Sequence, residues 1–245
     1  SPLRTPLLLG GVRPHREPAV TMSGWWVHNV YNSGGIVPLV SWIFWVIFSI
    51  VLHELAHGWA ALWQGDDTPR RSGHMTVNPL VHMGGMSLLI FAVIGIAWGA
   101  MPVNPGRFRN RRYGDVLVSL AGPAMNILLS LAALTGMSLW LRFGPTAQPM
   151  HENVATFLWT GGWLNIVLAL LNLLPIPPLD GSRILAGLSR KARELYNHPQ
   201  AQLFGMFVLM AIFFTPIGDI VFYAIRTGAR MYVSALGALL GGSAA

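Results

Sequence analysis

The sequence contains no cysteine, and this absence limits how the chain can hold itself together or bind a metal. Disulfide bonds and thiolate ligands are excluded. Any metal ion must therefore be bound by nitrogen and oxygen ligands from His, Asp or Glu side chains. Eight histidines and nine acidic residues are the whole supply.

Charged residues are scarce as well. They make up 10% of the 245 residues, and hydrophobic residues make up 53%, whereas soluble domains carry about 25% charged residues. This balance is typical of a membrane protein. The net charge of +7 comes from Lys and Arg residues that lie in short loops between apolar runs. Because this is the positive-inside pattern and not a basic groove, we expect no nucleic-acid binding.

Long apolar runs are what the sequence does contain. A helix needs about 20 residues to cross the hydrocarbon core, and four runs are long enough: residues 38–63, 116–141, 154–174 and 201–225. A fifth run, residues 86–101, is shorter and rich in Gly, so it is either a short span or a re-entrant segment. Arg residues flank it on both sides, and a re-entrant path keeps them all on the cytoplasmic face. The sequence thus predicts an all-α polytopic membrane protein with about four transmembrane helices plus a re-entrant, β-containing membrane-embedded segment, its N-terminus outside.

The domain organisation is expected to be simple. Residues 36–230 are predicted to form a single transmembrane domain, with a C-terminal tail at residues 231–245. The N-terminal tail, residues 1–35, is rich in Pro and Arg near its start and is expected to be disordered in part. Its apolar stretch at residues 7–10 is too short for the hydrophobic core of a signal peptide.

The first long run contains an HExxH pattern, His53-Glu54-Leu55-Ala56-His57. Residues four apart lie on one face of a helix, so both imidazoles can bind one Zn²⁺. Glu54 can then act as general base on a metal-bound water. Ionisable groups about 10 Å inside the end of an apolar helix are costly and usually mark a functional site. The alternative is a set of interhelical hydrogen bonds, which does not require this spacing.

A catalytic zinc site needs a third protein ligand, and Asp180 is the main candidate. It follows the third long run after Pro175, Pro177 and Pro178. Because prolines cannot continue a helix, the backbone must unwind here. Irregular backbone at membrane depth occurs where it is buried in protein or lines a wet cavity, and such a break can turn Asp180 towards the first helix. The alternative is an ordinary surface turn.

These motifs and the stretches between them resemble the site-2 proteases, a family of intramembrane zinc metalloproteases. The resemblance covers most of residues 50–185 in the family's order, and it is carried by His53-Glu-Leu-Ala-His57, Thr76-Val-Asn78-Pro79-Leu-Val-His82, Pro102-Val-Asn104-Pro105, Ser119-Leu-Ala-Gly122-Pro123-Ala-Met-Asn126 and Asn172-Leu-Leu-Pro-Ile-Pro-Pro-Leu-Asp180-Gly181.

The resemblance implies one Zn²⁺ per chain, with His53, His57 and Asp180 as ligands and Glu54 as the residue that activates water. It also implies that Asn172 points into the site, where an amide donor can hold the oxyanion. An interhelical hydrogen bond would explain Asn172 equally well.

Other polar residues are expected to have structural roles. Asn126 and Asn165 are predicted to make interhelical hydrogen bonds. His74 and His82 are expected to make polar contacts in a loop and not to bind the metal. Gly122, in the run Ala-Gly-Pro-Ala, is expected to permit close helix packing.

The expected activity is hydrolysis of peptide bonds in or near the transmembrane segments of membrane-protein substrates, as in regulated intramembrane proteolysis. The expected partners are membrane-spanning substrates and the lipid bilayer of a prokaryotic plasma (inner) membrane. An extended substrate is expected to pair with a strand at residues 73–78. The chain reads Gly73-His74 where the family usually has Gly-Arg, and no PDZ or CBS domain is expected.

Two other functions are compatible with a buried metal site. A membrane protein that only holds zinc would not need Glu54. A transporter with a metal site at the membrane midplane would show two related halves with paired broken helices, and no such internal repeat is evident.

Overall fold

The structure, a computed structural model, describes residues 25–110 and 113–241. Within these ranges the chain is all-helical, with a short 3-10 turn at Pro105–Arg107 and no β-strand. The helices are, in chain order, α1 (Trp26–Gly34), α2 (Ile36–Trp63), α3 (Thr68–Arg71), α4 (Pro79–Ile94), α5 (Gly114–Phe143), α6 (Met150–Leu173), α7 (Asp180–Leu188), α8 (Arg190–Tyr196), α9 (Pro199–Phe214) and α10 (Pro216–Leu239).

Three of these helices are long and apolar enough to cross a membrane. They are α2, α5 and α6, with 28, 30 and 24 residues. α2 and α5 contain the whole of the first and second predicted runs, and α6 contains all of the third run except its last residue. The prediction of an all-α protein with several membrane-spanning helices is therefore confirmed at this level.

The predicted count of four spans is not confirmed. The run at residues 201–225 is divided between α9 and α10, and α9 has only 16 residues, fewer than the roughly 20 that a span needs. The break lies at Thr215, whose backbone is extended (φ −124°, ψ 163°). A residue before proline favours this conformation, and Pro216 then starts the next helix.

The chain between α2 and α5 doubles back on itself. α4 ends at Ile94, and Gly95, which follows it, adopts a left-handed conformation (φ 81°) that glycine takes without strain. The non-helical stretch that follows, residues 96–104, is called here the return segment. Ser87 Oγ contacts both the carbonyl (2.7 Å) and the N–H (2.9 Å) of Trp98, and the N–H of Ala100 donates to the carbonyl of His82 (2.9 Å). These contacts bring the start of α4 and the return segment together, as a re-entrant path requires. The position of this stretch in a bilayer stays a prediction.

The β-containing part of the prediction is not confirmed. Residues 73–78 form turns, in which the N–H of His74 donates to the carbonyl of Pro69 (2.9 Å) and the N–H of Thr76 to the carbonyl of His74 (2.9 Å). The carbonyl of Thr76 also accepts from Nε2 of His82 (2.6 Å). These groups are used locally, so they are not available to a neighbouring strand.

α2, α5 and α6 pack on one another, and α4 and α10 cover parts of the same core. Water exclusion contributes little between helices in lipid, so close van der Waals packing and buried polar contacts hold such helices together. The buried core residues are Trp45, Val46 and Ile50 of α2, Met83 and Phe91 of α4, Ala133 and Leu134 of α5, Trp163, Leu164 and Val167 of α6, and Ile225 and Ala229 of α10.

The predicted domain limits can be compared with the helices only in part. Residues 1–24 of the predicted N-terminal tail lie outside the described residues, and α1 occupies the rest of it. α10 continues to Leu239, past the predicted limit at residue 230. The division into tails and one domain stays a prediction.

Asp66 ties the end of the return segment to the loop after α2. It has no exposed surface, and its carboxylate accepts from the N–H of Asn104 (2.6 Å) and from the N–H and hydroxyl of Thr68. Burial alone would raise the pKa of Asp66, but these hydrogen bonds and the nearby charge of Arg107 outweigh it and lower the pKa from 3.8. The fold therefore favours the ionised carboxylate.

We expect Asp66→Asn to destabilise the protein at about pH 7 and to cost less at about pH 3. Because the pKa is lower in the folded chain than in the unfolded one, the stabilisation is complete above the ordinary pKa and is lost as the pH falls through the lowered value. Thermal unfolding in detergent at both pH values measures the difference from wild type. Asp67→Asn is the control, since Asp67 is a half-exposed, ion-paired neighbour and pairs on the surface contribute little. An Asp66→Asn deficit of equal size at both pH values would contradict the assignment.

Candidate metal centre

His53 and His57 project from one face of α2 into the protein interior. Their Nε2 atoms lie 3.0 Å apart, and both residues are buried. Oδ2 of Asp180 lies 3.1 Å from Nε2 of His53 and 3.3 Å from Nε2 of His57. The structure thus brings together the three side chains that the sequence singled out as ligands, and they form the group of three among the described residues that can hold a metal.

The unwound stretch after α6 delivers Asp180 to this point. α6 ends at Leu173, and the proline-rich stretch that follows leads into α7, whose first residue is Asp180. Gly181 sits directly on the end of α6, where an added Cβ would lie 2.3 Å from the carbonyl oxygen of Leu173. An ion pair between Arg183 and Asp115 (2.8 Å) holds α7 against the start of α5. The predicted break in the helix therefore turns the carboxylate back towards α2.

The ligand atoms are arranged as a cation requires. Nδ1 of His57 lies 2.7 Å from the carbonyl oxygen of Val118, which can only accept, so Nδ1 carries the proton and the neutral ring offers a lone pair at Nε2. Oδ2 of Asp180 is buried and accepts no hydrogen bond. Electron pairs this close repel one another unless a positive charge lies among them. Two imidazole nitrogens and a carboxylate oxygen are a donor set that suits Zn²⁺.

Gly122 of α5 leaves space beside the ligand atoms. A Cβ at this position would lie 2.5 Å from Nε2 of His53 and 2.5 Å from Nε2 of His57. The predicted close packing at Gly122 is therefore found, but Gly122 packs against the two imidazole rings of the candidate metal centre. In the sequence the run Ala-Gly-Pro-Ala indicates close approach of helices, and nothing in it says which residues approach.

Glu54 lies beside the ligands and under the return segment. Its side chain is buried, and a Cβ added to Gly99 would lie 2.8 Å from Oε1 of Glu54. The return segment therefore forms one wall of the site. The sequence predicts only a membrane excursion for these residues and gives no sign that they belong to the site.

Asn172 has a different partner from either of those expected. Its Nδ2 donates to the carbonyl of Leu168 on the same helix (3.0 Å), and the residue is half-buried. His74 contacts Ser72 (3.0 Å to its carbonyl), and the ring of His82 contacts the carbonyl of Thr76. The expected loop position is wrong for His82, which lies in α4. The role of Asn172 in the site and the purely polar roles of the two histidines stay predictions.

Asn126 and Asn165 make the predicted interhelical contact, in which Nδ2 of Asn126 donates to Oδ1 of Asn165 (2.9 Å). Asn126 has a second contact, which was not among those predicted from the sequence. Its Oδ1 lies 2.6 Å from Nδ1 of His53. The sequence signal was the spacing of Asn126, Gly122 and Val118, four residues apart on one face of α5.

We expect Gly122→Ala to abolish zinc binding, because the added methyl group would collide with both Nε2 atoms. Zinc content of the purified protein, measured by atomic emission, reports the loss. Gly136→Ala on the same helix is the matched control, since its Cβ would meet only Leu158 at 3.7 Å, and it should bind zinc as the wild type does. Full zinc content in Gly122→Ala would place the metal elsewhere.

Comparisons with known proteins give the family. The profile of Peptidase family M50 matches residues 137–216. The protein YwhC of Bacillus subtilis (strain 168), whose name describes a candidate zinc metalloprotease, is 34% identical over 187 residues, which are 76% of this chain and 85% of YwhC.

Two further relatives carry the name Rip2 and the same description. Rip2 of Mycolicibacterium smegmatis is 30% identical over 188 residues, 74% of this chain and 68% of the relative. Rip2 of Mycobacterium tuberculosis (strain H37Rv) is 30% identical over 183 residues, 70% of this chain and 65% of the relative. No solved structure matches the chain. Similarity at this level, over most of this chain and of YwhC, shows that the chain belongs to Peptidase family M50, the site-2 protease family of zinc metalloproteases.

Proposed function

We propose that this zinc metalloprotease cleaves membrane-spanning proteins at peptide bonds within or beside the bilayer. The observation that carries the proposal is the position of the metal centre on α2, a helix long and apolar enough to cross a membrane. His57 lies six residues before the end of α2 at Trp63, a distance of about 9 Å along the helix. A peptide bond that reaches this depth belongs to a segment that is itself in or next to the membrane.

We assign His53, His57 and Asp180 as the ligands of one zinc ion. When bound, zinc supplies Lewis acidity, which makes water a stronger acid and polarises a carbonyl group. The two imidazoles are fixed by contacts at their Nδ1 atoms, so Nε2 of each ring is held towards the centre. Such outer contacts orient metal-binding histidines in zinc enzymes generally.

Glu54 is proposed as the general base. It follows His53 on α2, and the return segment at Gly99 lies so close that a Cβ there would collide with its side chain, which limits where the carboxylate can move. In this position Glu54 takes the proton of the attacking water and later delivers it to the leaving amine. Its low exposure keeps bulk water from competing for that proton.

Asn172 is proposed to stabilise the oxyanion of the tetrahedral intermediate. It lies in the last turn of α6, just before the unwound stretch that leads to Asp180. One of its two amide hydrogens is used by the carbonyl of Leu168, which leaves the other available as a donor. A preorganised donor of this kind can contribute about 10²–10³ in rate.

The membrane setting of the proposal extends to topology and partners. We propose that α9 and α10 together provide a fourth crossing, that the N-terminus is outside, and that residues 36–230 form one transmembrane domain. Because a helical segment hides its carbonyls in hydrogen bonds, substrates must unwind locally before cleavage. The bacterial relatives support a prokaryotic plasma membrane, where such cleavage serves regulated intramembrane proteolysis.

We expect Glu54→Gln to retain zinc and to lose cleavage of membrane-spanning substrates. The amide cannot accept the proton of water, and loss of a general base costs about 10²–10⁴ in rate. The experiment co-expresses candidate single-span proteins with each variant, and mass spectrometry maps the cut bonds. Zinc content is measured on the same preparations.

The matched control is Glu152→Gln, which changes an exposed acidic residue at the start of α6 and should cleave as the wild type does. Equal cleavage by Glu54→Gln with zinc retained would refute the role of Glu54. Cuts that map only to soluble domains, far from any transmembrane segment, would refute the intramembrane substrate class while leaving the metal centre in place.

A further inference from the structure

Two buried amides connect the first metal-binding histidine to the backbone of α6. Nδ1 of His53 lies 2.6 Å from Oδ1 of Asn126, Nδ2 of Asn126 donates to Oδ1 of Asn165 (2.9 Å), and Nδ2 of Asn165 donates to the carbonyl of Gly161 (2.9 Å). Neither asparagine has any exposed surface. We call Asn126 and Asn165 the amide relay. It joins α2, α5 and α6 at the depth of the site.

The direction of every hydrogen bond in the relay is fixed by its far end. The carbonyl of Gly161 can only accept, so Asn165 must turn its NH₂ group towards it and its oxygen towards Asn126. Asn126 must then donate with its own NH₂ group, which leaves its oxygen facing His53. An amide oxygen can only accept, so Nδ1 of His53 must be the protonated nitrogen.

We propose that the amide relay is a positioning device that keeps the proton of His53 on Nδ1 and its lone pair on Nε2, towards the metal centre. The inference rests on the proposed role of His53 as a zinc ligand. His57 needs no such relay, because its Nδ1 meets the carbonyl of Val118 directly. The acceptor for His53 is instead a side-chain amide, which by itself could present either its oxygen or its NH₂ group.

Asn165 is the residue that removes this ambiguity. Without it, Asn126 could turn its NH₂ group to His53, which would then accept at Nδ1 and carry its proton at Nε2. That proton would lie among Nε2 of His57 and Oδ2 of Asp180, 3.0 and 3.1 Å from Nε2 of His53, in the place of the metal. Asn165 bonds to Asn126 and to the carbonyl of Gly161, so it acts on His53 only through Asn126.

A purely structural role for the amides makes a different prediction. Interhelical hydrogen bonds between asparagines stabilise packing whichever way they point, so replacing Asn165 by an apolar residue of similar size would affect stability and not metal affinity. If the relay instead works by the direction of its hydrogen bonds, replacing Asn165 lowers metal affinity even when the protein still folds.

The test is the zinc affinity of purified protein in detergent, measured by competition with a chelator. We expect Asn165→Leu to weaken zinc binding by about 10–100-fold, the usual effect of losing an outer partner of a metal-binding histidine. The double variant Asn126→Asp with Asn165→Leu should recover to within about threefold of wild type, because a carboxylate can only accept from Nδ1 and so needs no second amide.

Thr160→Val is the matched control. It removes a buried hydroxyl from α6, the helix that carries Asn165. This hydroxyl bonds only to the carbonyl of Thr156, so zinc affinity should be unchanged. Helical content and thermal unfolding are measured for every variant. Wild-type affinity in Asn165→Leu, or a folded double variant that binds no better than Asn165→Leu, would overturn the proposal.

If the double variant does not fold, the tautomer of His53 in zinc-free protein decides the question. The ¹³C shifts of labelled imidazole carbons distinguish a proton on Nδ1 from one on Nε2, with a His53→Asn sample to identify the signal. The proposal requires the Nδ1 form in wild type and its loss in Asn165→Leu, and an unchanged signal would overturn it. A wild type that binds no zinc would instead refute the proposed ligands, so the two failures are distinguishable.

Discussion

The structure depends on holding three electron-rich atoms in contact inside an apolar protein. Nε2 of His53, Nε2 of His57 and Oδ2 of Asp180 lie within 3.3 Å of one another, an arrangement that is repulsive without a cation. In low-dielectric surroundings this repulsion is poorly screened, so the protein must hold the side chains in place by other contacts. The helices around the centre supply them.

α5 makes the largest contribution to this task. One face of α5 carries three residues spaced four apart, Val118, Gly122 and Asn126. This face packs directly against the HExxH pattern of α2. Val118 offers a carbonyl to His57, Gly122 leaves space beside the two Nε2 atoms, and Asn126 offers an amide oxygen to His53. One helix face therefore fixes both rings and the space between them. α6 contributes through Asn165, and α7 brings the carboxylate.

The remaining wall of the site is formed by chain that is neither helix nor strand. The return segment passes over Glu54 at Gly99, and it is held by the carbonyl of His82 at one point and by Asp66 at another. The buried carboxylate of Asp66 accepts hydrogen bonds from the backbone N–H groups of Asn104 and Thr68. Without it these two groups would lose their hydrogen-bond acceptor. A polar tether close to the end of α2 thus helps to fix the wall of the site beside Glu54.

Sequence patterns alone were enough to predict an all-α membrane protein, its three long helices and the three candidate ligands that the fold brings together. Local signals are enough for these: apolar run length sets a span, a spacing of four puts His53 and His57 on one helix face, and prolines force the break before Asp180. The tertiary structure alone decided what meets these residues. Gly122, Gly99, Asn126 and Asn165 gain their places in and around the site from contacts between elements far apart in the chain, and local spacing does not encode such contacts. The break of the last apolar run at Thr215 is a local effect of Pro216, whereas the turns at residues 73–78 are held in part by a contact with His82 of α4.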